Sequence, residues 1–122
     1  MKTDVVSSRA FKRELKPLAR KFQSLLDEVD ALIDQLAANP QLGTPLGKGC
    51  YKIRLAVHSK GGGKSGGLRV ITYVVVQVQQ PPGGGTTVYL ASIYDKSAQS
   101  TVTDARLRAL VAGINAGFEP ES

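Results

Sequence analysis

The sequence predicts an α+β domain: an N-terminal helical hairpin packed on a small antiparallel β-sheet, with a C-terminal helix after the last strand. This prediction depends on three changes of pattern. Apolar residues recur every three or four positions in the first third of the chain, alternate residue by residue in the middle, and return to helical spacing near the C-terminus. A chain of 122 residues can bury one hydrophobic core, so we expect a single domain over residues 1–122.

Residues 8–38 have the helical spacing, and we expect two helices within them. Pro17 has no amide hydrogen and disfavours helical geometry at the preceding residue, so it should break or kink the run unless a helix starts there. Ser24 followed by Asp27 is typical of the start of a second helix. The Asn-Pro pair at 39–40 should end that helix.

The alternating pattern begins after a Gly- and Pro-bearing connection at 41–49 and predicts three strands. The first places Tyr51, Ile53, Leu55 and Val57 on one face and Lys52, Arg54, Ala56 and His58 on the other. The second, 68–78, places Arg69, Ile71, Tyr73 and Val75 on one face. The third ends near Tyr94, and residues 3–6 are a candidate edge strand.

Two signals mark the C-terminal helix. Thr103 should cap its start, and Gly117 lies near its expected end. Leu107, Leu110 and Ile114 recur at helical spacing between them, so they should face the core.

Positive charge is concentrated in the middle of the chain. The net charge is +6, and no Asp or Glu occurs between Asp34 and Asp95. That interval contains six basic residues: Lys48, Lys52, Arg54, Lys60, Lys64 and Arg69. Elsewhere ten basic and ten acidic residues cancel, so the excess belongs to one module and suggests a polyanionic partner.

The segment KGGGKSGG contains Gly-Lys-Ser but does not fit a nucleotide-binding loop. Such a loop needs glycine five residues before Gly63, where this chain has His58, and it leads into a helix, whereas a strand follows here. Two interpretations stay open. The segment is a plain hairpin connection or a basic loop that clamps a phosphate backbone.

The remaining candidate groups are sparse. Cys50 is the only cysteine and His58 the only histidine, so the usual Cys/His zinc sites are excluded, and we expect neither a metal nor another cofactor. Cys50 is interpreted as a small buried strand residue. The apolar runs are too short for a membrane helix, and the N-terminus lacks a secretory apolar segment, so a soluble, cytoplasmic protein is expected.

The segments CYKIRL, GGLRVITYVV and VYLASIYDK, in this order after a helical hairpin, resemble the RelE/ParE superfamily of bacterial type II toxins, most closely its RelE and HigB branches. The resemblance covers nearly the whole chain. It implies a RelE/ParE-like fold and a ribosome-dependent endoribonuclease that cleaves mRNA near the decoding site. It also implies inhibition by a cognate antitoxin, for which the helical hairpin and the basic strand face are candidate contacts.

Carried over by position, the resemblance implies catalytic roles for Lys52, Arg54, Arg69 and Lys96, with Tyr73 or Tyr94 as the aromatic participant. Lys48, His58, Lys60, Lys64 and Tyr94 are candidate RNA contacts. RNA cleavage by the 2′-hydroxyl needs a base, stabilisation of the phosphorane and a proton for the leaving oxygen. Arginine stays protonated, so Arg54 and Arg69 suit charge stabilisation and Lys52 is the better candidate base.

Two alternative functions stay open: a ParE-like inhibitor of DNA gyrase without nuclease activity, and a degenerate relative that only binds RNA or its partner. The paired basic residues count against the first, since ParE members generally lack them. Two positions also depart from the RelE pattern. Arg54 stands where many relatives have a second lysine, and no tyrosine follows Tyr94.

Overall fold

The computed structural model describes residues 2–61, 67–77, 85–97 and 101–116. It is an α+β structure with three helices and a five-stranded mixed sheet. The elements are β1 (Lys2–Ser7), α1 (Arg9–Lys21), α2 (Leu25–Ala38), β2 (Thr44–Gly47), β3 (Cys50–Leu55), β4 (Leu68–Gln77), β5 (Gly85–Asp95) and α3 (Asp104–Asn115).

The sheet has the order β1-β5-β4-β3-β2. Strands β2 to β5 pair antiparallel, but β1 pairs parallel with β5, from Lys2 opposite Gly85 to Ser7 opposite Leu90. The antiparallel pairing expected of the three predicted strands is confirmed, and so is the edge strand near residues 3–6, whose parallel pairing makes the sheet mixed. A parallel pair needs a long connection, and here the intervening helices and strands provide it.

The connection expected at 41–49 contains an additional strand, β2. Thr44 pairs with Lys52 and Pro45 with Tyr51, and a tight turn with positive φ at Gly47, Lys48 and Gly49 leads into β3. Proline and glycine suggested a loop, but proline is tolerated on an edge strand, where one side of the backbone needs no partner.

Helix α1 runs through Pro17, so the expected break there is wrong. Pro17 is exposed, and the carbonyl that loses its helical donor belongs to Arg13, which is also exposed, so water can satisfy it. The hairpin instead turns between Phe22 and Ser24. Helix α2 begins after Ser24, as expected, and ends at Asn39.

The sheet lies between two helical layers. On one face, α1 and α2 pack against β3, β4 and β5 through a core that includes Phe11, Leu25, Leu32, Ile53 and Val70. On the other face, α3 packs through Leu107, Leu110 and Ile114 on Cys50, Ile71, Ala91 and Tyr94. Cys50 is thus a free, buried strand residue, as predicted.

Glu14 joins three elements near the end of β5. Its carboxylate accepts hydrogen bonds from the Ser92 hydroxyl at 2.8 Å and the Ile93 amide at 3.2 Å, and it pairs with Arg106 of α3 at 3.2 Å. Pairing of β4 with β5 shifts register between Ile71 and Thr72, close to this point. Glu14 therefore fixes the strand segment that leads into Tyr94.

Helix α3 begins as predicted, with the Thr103 hydroxyl accepting from the Arg106 amide at 3.1 Å. Gly117 lies outside the described residues. In the parts of the chain that the structure describes, no helix has the length and apolar character needed to cross a membrane.

Candidate nucleic-acid interface

Three predicted residues lie in one row across the sheet. Arg54 of β3 is directly opposite Arg69 of β4, and Arg69 is directly opposite Tyr94 of β5. Their side chains point to the α3 side, because the intervening core residues Ile53 and Val70 point to the helical hairpin. We call Arg54, Arg69 and Tyr94 the arginine row.

The two arginines form a close pair. The amide of Val74 donates to the carbonyl of Gly49, which makes these two residues a hydrogen-bonded pair. From that point, non-hydrogen-bonded and hydrogen-bonded pairs alternate along β3 and β4. Arg54 and Arg69 consequently occupy a non-hydrogen-bonded pair, in which opposing Cα atoms are about 4.5 Å apart and side chains are closest. Like charges directly opposite each other destabilise a sheet, which favours an anion between or above them.

The two guanidinium groups differ in exposure. Arg54 is exposed, whereas only 3% of Arg69 is accessible to solvent. One Arg69 amino group donates to the carbonyl of Leu68 at 3.2 Å. A buried charge acts through a lower dielectric than an exposed one. Arg69 is therefore a fixed positive charge beneath the surface, and Arg54 is the arginine that a ligand meets first.

Tyr94 completes the row with an unsatisfied hydroxyl. The residue is 7% exposed, and its hydroxyl is buried without a hydrogen-bond partner among the described residues. Burial raises the pKa of Tyr94, and the charge of Arg69 only partly offsets that effect. The phenol is therefore neutral at physiological pH and suits donation of a hydrogen bond.

Lys52 lies one position along the same face. Lys52 is opposite Ile71 of β4, and Ile71 is opposite Ser92 of β5. The Lys52 side chain is half-buried. Lys52 and Arg54 are two positions apart along β3, so their Cα atoms are about 7 Å from each other. Both side chains can therefore reach one phosphodiester and its neighbouring ribose.

The end of β5 lies beside the arginine row. Burial alone would raise the pKa of Asp95. Hydrogen bonds from the Ser97 hydroxyl and amide, together with the charges of Lys60 and Lys21, lower the pKa by more than burial raises it. The pKa of Asp95 therefore lies below its ordinary value. Lys60 approaches Asp95 at 3.7 Å and lies over the Phe22 ring. Lys96 follows Asp95 and is exposed at this same end of the sheet.

The turn after β3 is fastened to the helical hairpin. Glu28 accepts from the His58 amide at 2.6 Å and from the Ser24 hydroxyl at 3.0 Å, and Ser24 and Ser59 exchange short hydrogen bonds. The His58 side chain is exposed. The turn thus has a defined place near the arginine row, whereas Lys64 lies outside the described residues.

Tyr73 and Lys48 lie towards the other end of the sheet. Tyr73 is on the face of Arg69 but four residues along β4, about 13 Å away. Its hydroxyl donates to Asn115 of α3 at 3.0 Å, and its ring stacks on Tyr89. Lys48 pairs with Asp104 at 3.5 Å. The structure therefore does not bring these two residues into the arginine row.

Two supporting residues were missed from the sequence, Glu14 and Glu28. Each is a single acidic residue in a helix, and each binds strand or turn groups far along the chain, so no local motif reveals it. Within the described ranges, no three His, Cys, Asp or Glu side chains are close enough to hold a metal ion.

The arrangement can bind an anion at Arg54, stabilise added negative charge through Arg69, and offer hydrogen-bond donors from Tyr94 and Lys52. No protein-family model matches the chain, and no curated protein shows significant similarity to it.

Proposed function

We propose that the protein is the toxin of a bacterial type II toxin–antitoxin system, a RelE/HigB-like endoribonuclease that cleaves mRNA on the ribosome and so inhibits translation in the cytoplasm. The observation that supports this proposal most strongly is the placement of Arg54 directly opposite Arg69, with the Tyr94 hydroxyl, which has no hydrogen-bond partner among the described residues, next in the row. A phosphodiester between these groups would relieve the repulsion and give the hydroxyl an acceptor.

The proposed reaction is a transesterification that needs no metal ion. The ribose 2′-hydroxyl attacks the adjacent phosphorus and loses its proton to a base. The bond from phosphorus to the 5′-oxygen breaks, and that oxygen takes up a proton. The products are a 2′,3′-cyclic phosphate and a 5′-hydroxyl, so atoms and charge balance without an oxidant or a second substrate.

Each residue of the face has a role in this proposal. Arg54, being exposed, binds the phosphate, and the buried Arg69 stabilises the charge that develops on the phosphorane. Lys52 is the candidate base, within about 7 Å of Arg54 along β3. The neutral Tyr94 donates a hydrogen bond to a phosphate oxygen, and the exposed Lys96 is a further candidate contact to the RNA backbone.

The charge distribution also supports a ribosomal setting. The interval between Asp34 and Asp95 contains no acidic residue, so the described surface of β3 and β4 carries no carboxylate that would repel rRNA phosphates. Lys48 and His58 are exposed on this stretch and are candidate contacts to rRNA near the decoding site.

The proposal is tested by adding the purified protein to ribosomes translating a defined message and mapping the mRNA 5′ ends. New ends that require both protein and ribosomes are expected. Intact mRNA would contradict the proposal. A parallel supercoiling assay with DNA gyrase covers the alternative activity, and binding of the message without new ends would identify a protein that binds RNA but does not cleave it.

A further inference from the structure

The two helices of the hairpin carry opposite charges on their outer sides. Four exposed cations lie along one side of α1: Lys12, Arg13, Lys16 and Arg20. Three exposed carboxylates lie along one side of α2: Asp27, Asp30 and Asp34. We call these two sets the basic face and the acidic face. At about 3.6 residues per turn, each set is opposite the residues that its helix buries against the sheet, so both faces point away from the sheet.

Charges of one sign are concentrated on each helix. The only acidic residue of α1 is Glu14, which is already bound to β5 and to Arg106, and α2 contains neither lysine nor arginine. Among the described residues, no ion pair and no side-chain hydrogen bond involves the basic face or the acidic face. The counter-charges of both faces therefore come from solvent ions or from another molecule.

The spacings of the two faces match in antiparallel order. From Lys12 to Arg20 the basic face extends along about 12 Å of α1. From Asp27 to Asp34 the acidic face extends along about 11 Å of α2. When α1 of one copy lies antiparallel to α2 of another copy, each cation is level with a carboxylate. The resulting pairs join Arg20 to Asp27 of the partner subunit, Lys16 to Asp30 of the partner subunit, and Lys12 or Arg13 to Asp34 of the partner subunit.

Two-fold symmetry forms this alignment twice. A two-fold axis parallel to the hairpin, between the outer sides of two copies, places α1 of each copy on α2 of the other with opposite helix directions. The same surface then serves both subunits, and each basic face meets an acidic face. We propose that the outer side of the hairpin binds the same surface of a second copy of this chain, forming a two-fold symmetric dimer through ion pairs.

A nucleic acid suits the hairpin less well than a second copy does. The basic face would attract its phosphates, but the carboxylates of the neighbouring acidic face would repel them. The outer side of the hairpin is instead complementary to itself. The arginine row lies on the other side of the sheet, so the dimer leaves it open, and the dimer does not rest on the proposed function.

Sedimentation velocity of the purified, nucleic-acid-free chain tests whether the dimer forms. At about 0.02 M salt, where charges are weakly screened, a dimer with a dissociation constant below about 1 mM is expected. At about 0.5 M salt the dissociation constant should rise at least about tenfold, because exposed ion pairs are screened. A chain that stays monomeric up to about 1 mM at low salt, or a dimer that salt does not weaken, would overturn the proposal.

Charge reversal identifies the surfaces in contact. Lys16→Glu and Asp30→Lys each place like charges opposite each other at two symmetric positions of the dimer, so each should raise the dissociation constant at least about tenfold. Arg54→Glu is the matched control, because it reverses an exposed cation on the other side of the sheet and should leave the dimer unchanged. Charge-reversed variants that dimerise as tightly as the wild type would contradict the proposal.

An equimolar mixture of Lys16→Glu and Asp30→Lys gives the sharpest result. In the mixed dimer, the glutamate introduced at position 16 faces the lysine introduced at position 30, and the unaltered Lys16 faces the unaltered Asp30. The mixture should therefore dimerise within about threefold of the wild-type affinity, although neither variant does so alone. A contact within one chain cannot give this recovery, so two folded variants that stay monomeric when mixed would exclude the dimer.

Binding of an oligouridylate by the same two variants covers the alternative use of the hairpin. The dimer requires that neither substitution changes this binding by more than about threefold. A monomeric chain whose binding is weakened by Lys16→Glu and strengthened by Asp30→Lys would assign the outer side of the hairpin to nucleic acid and overturn the proposal.

Discussion

Arg54 and Arg69 face each other across two neighbouring strands, in the kind of pair that brings side chains closest. One guanidinium is exposed and the other is buried. Nothing in strand pairing favours this arrangement, since like charges directly opposite destabilise a sheet. Like charges directly opposite each other at the end of a sheet are typical of a binding site, where a ligand of opposite charge lies between them.

A double-mutant cycle measures this repulsion. Arg54→Gln changes the free energy of unfolding in both backgrounds. If the two arginines repel each other, this change should be more favourable in the wild type, where Arg69 is present, than in the Arg69→Met variant. The expected coupling is about 0.5 kcal/mol in the sense of repulsion. It is measured by urea unfolding of the wild type, Arg54→Gln, Arg69→Met and the double variant. A coupling of zero or of opposite sign would show that the two charges do not repel each other.

Tyr94→Phe should separate stability from function. The substitution removes a buried hydroxyl that has no partner among the described residues, so the free energy of unfolding should rise by about 1 kcal/mol. Cleavage of ribosome-bound mRNA should nevertheless fall by about 100-fold, because a donor to the phosphate is lost. Urea unfolding and single-turnover cleavage check the two parts, and a variant that is less stable than wild type would contradict the first.

Tyr73→Phe provides the matched comparison. Its hydroxyl donates to Asn115, so its removal should lower the free energy of unfolding by about 1 kcal/mol. Tyr73 lies about 13 Å along β4 from Arg69, so cleavage should change less than threefold. A loss of cleavage as large as that of Tyr94→Phe would assign the aromatic role to Tyr73 instead.

Asp95→Asn should make the free energy of unfolding less dependent on pH in the acidic range. The folded-state pKa of Asp95 lies below the ordinary value of 3.8, so its carboxylate stabilises the fold above that pH. This contribution is lost as the pH falls below 3.8 through the folded-state pKa. At pH 7 the variant should be less stable by about 1–2 kcal/mol, since Ser97 and Lys60 lose a charged partner.

Unfolding at several pH values between 2 and 7 checks this prediction. The stability difference between wild type and Asp95→Asn should shrink as the solution becomes more acidic. Ser97→Ala, which removes only one hydrogen bond to the carboxylate, should show a smaller difference with the same pH dependence. A difference that stays constant down to pH 2 would show that the charge of Asp95 is not responsible.

The sequence predicted those parts of the fold that depend on local periodicity. The alternation from Tyr51 to Val57 and the run after Leu68 identified β3 and β4, and they placed Lys52 with Arg54 on one face of β3 and Arg69 with Tyr73 on one face of β4. The strand β2 was missed because Pro45 suggests a loop unless its position at the sheet edge is known. The parallel pairing of β1 was missed because it joins the two ends of the chain.

The candidate site was predicted by residue type but not by geometry. Alternation puts Arg69 and Tyr73 on the same face, but only the register shows that Arg54 and Tyr94 are the direct neighbours of Arg69. The burial of Arg69 also depends on its surroundings in the folded chain, which a single strand pattern does not contain. The same holds for Glu14, whose partners lie far away in sequence.

We propose that Arg54 and Arg69 together hold the phosphate at which mRNA is cleaved. The most direct test of their role is the single-turnover rate of cleavage of ribosome-bound mRNA by the wild type, by Arg54→Ala and by Arg13→Ala, which replaces an exposed helical arginine and serves as the control. Fragments with 5′-hydroxyl ends are expected, with cleavage at least about 100-fold slower for Arg54→Ala and a wild-type rate for Arg13→Ala. Equal rates for all three proteins, or no cleavage by the wild type, would show that the arginine pair does not have this role.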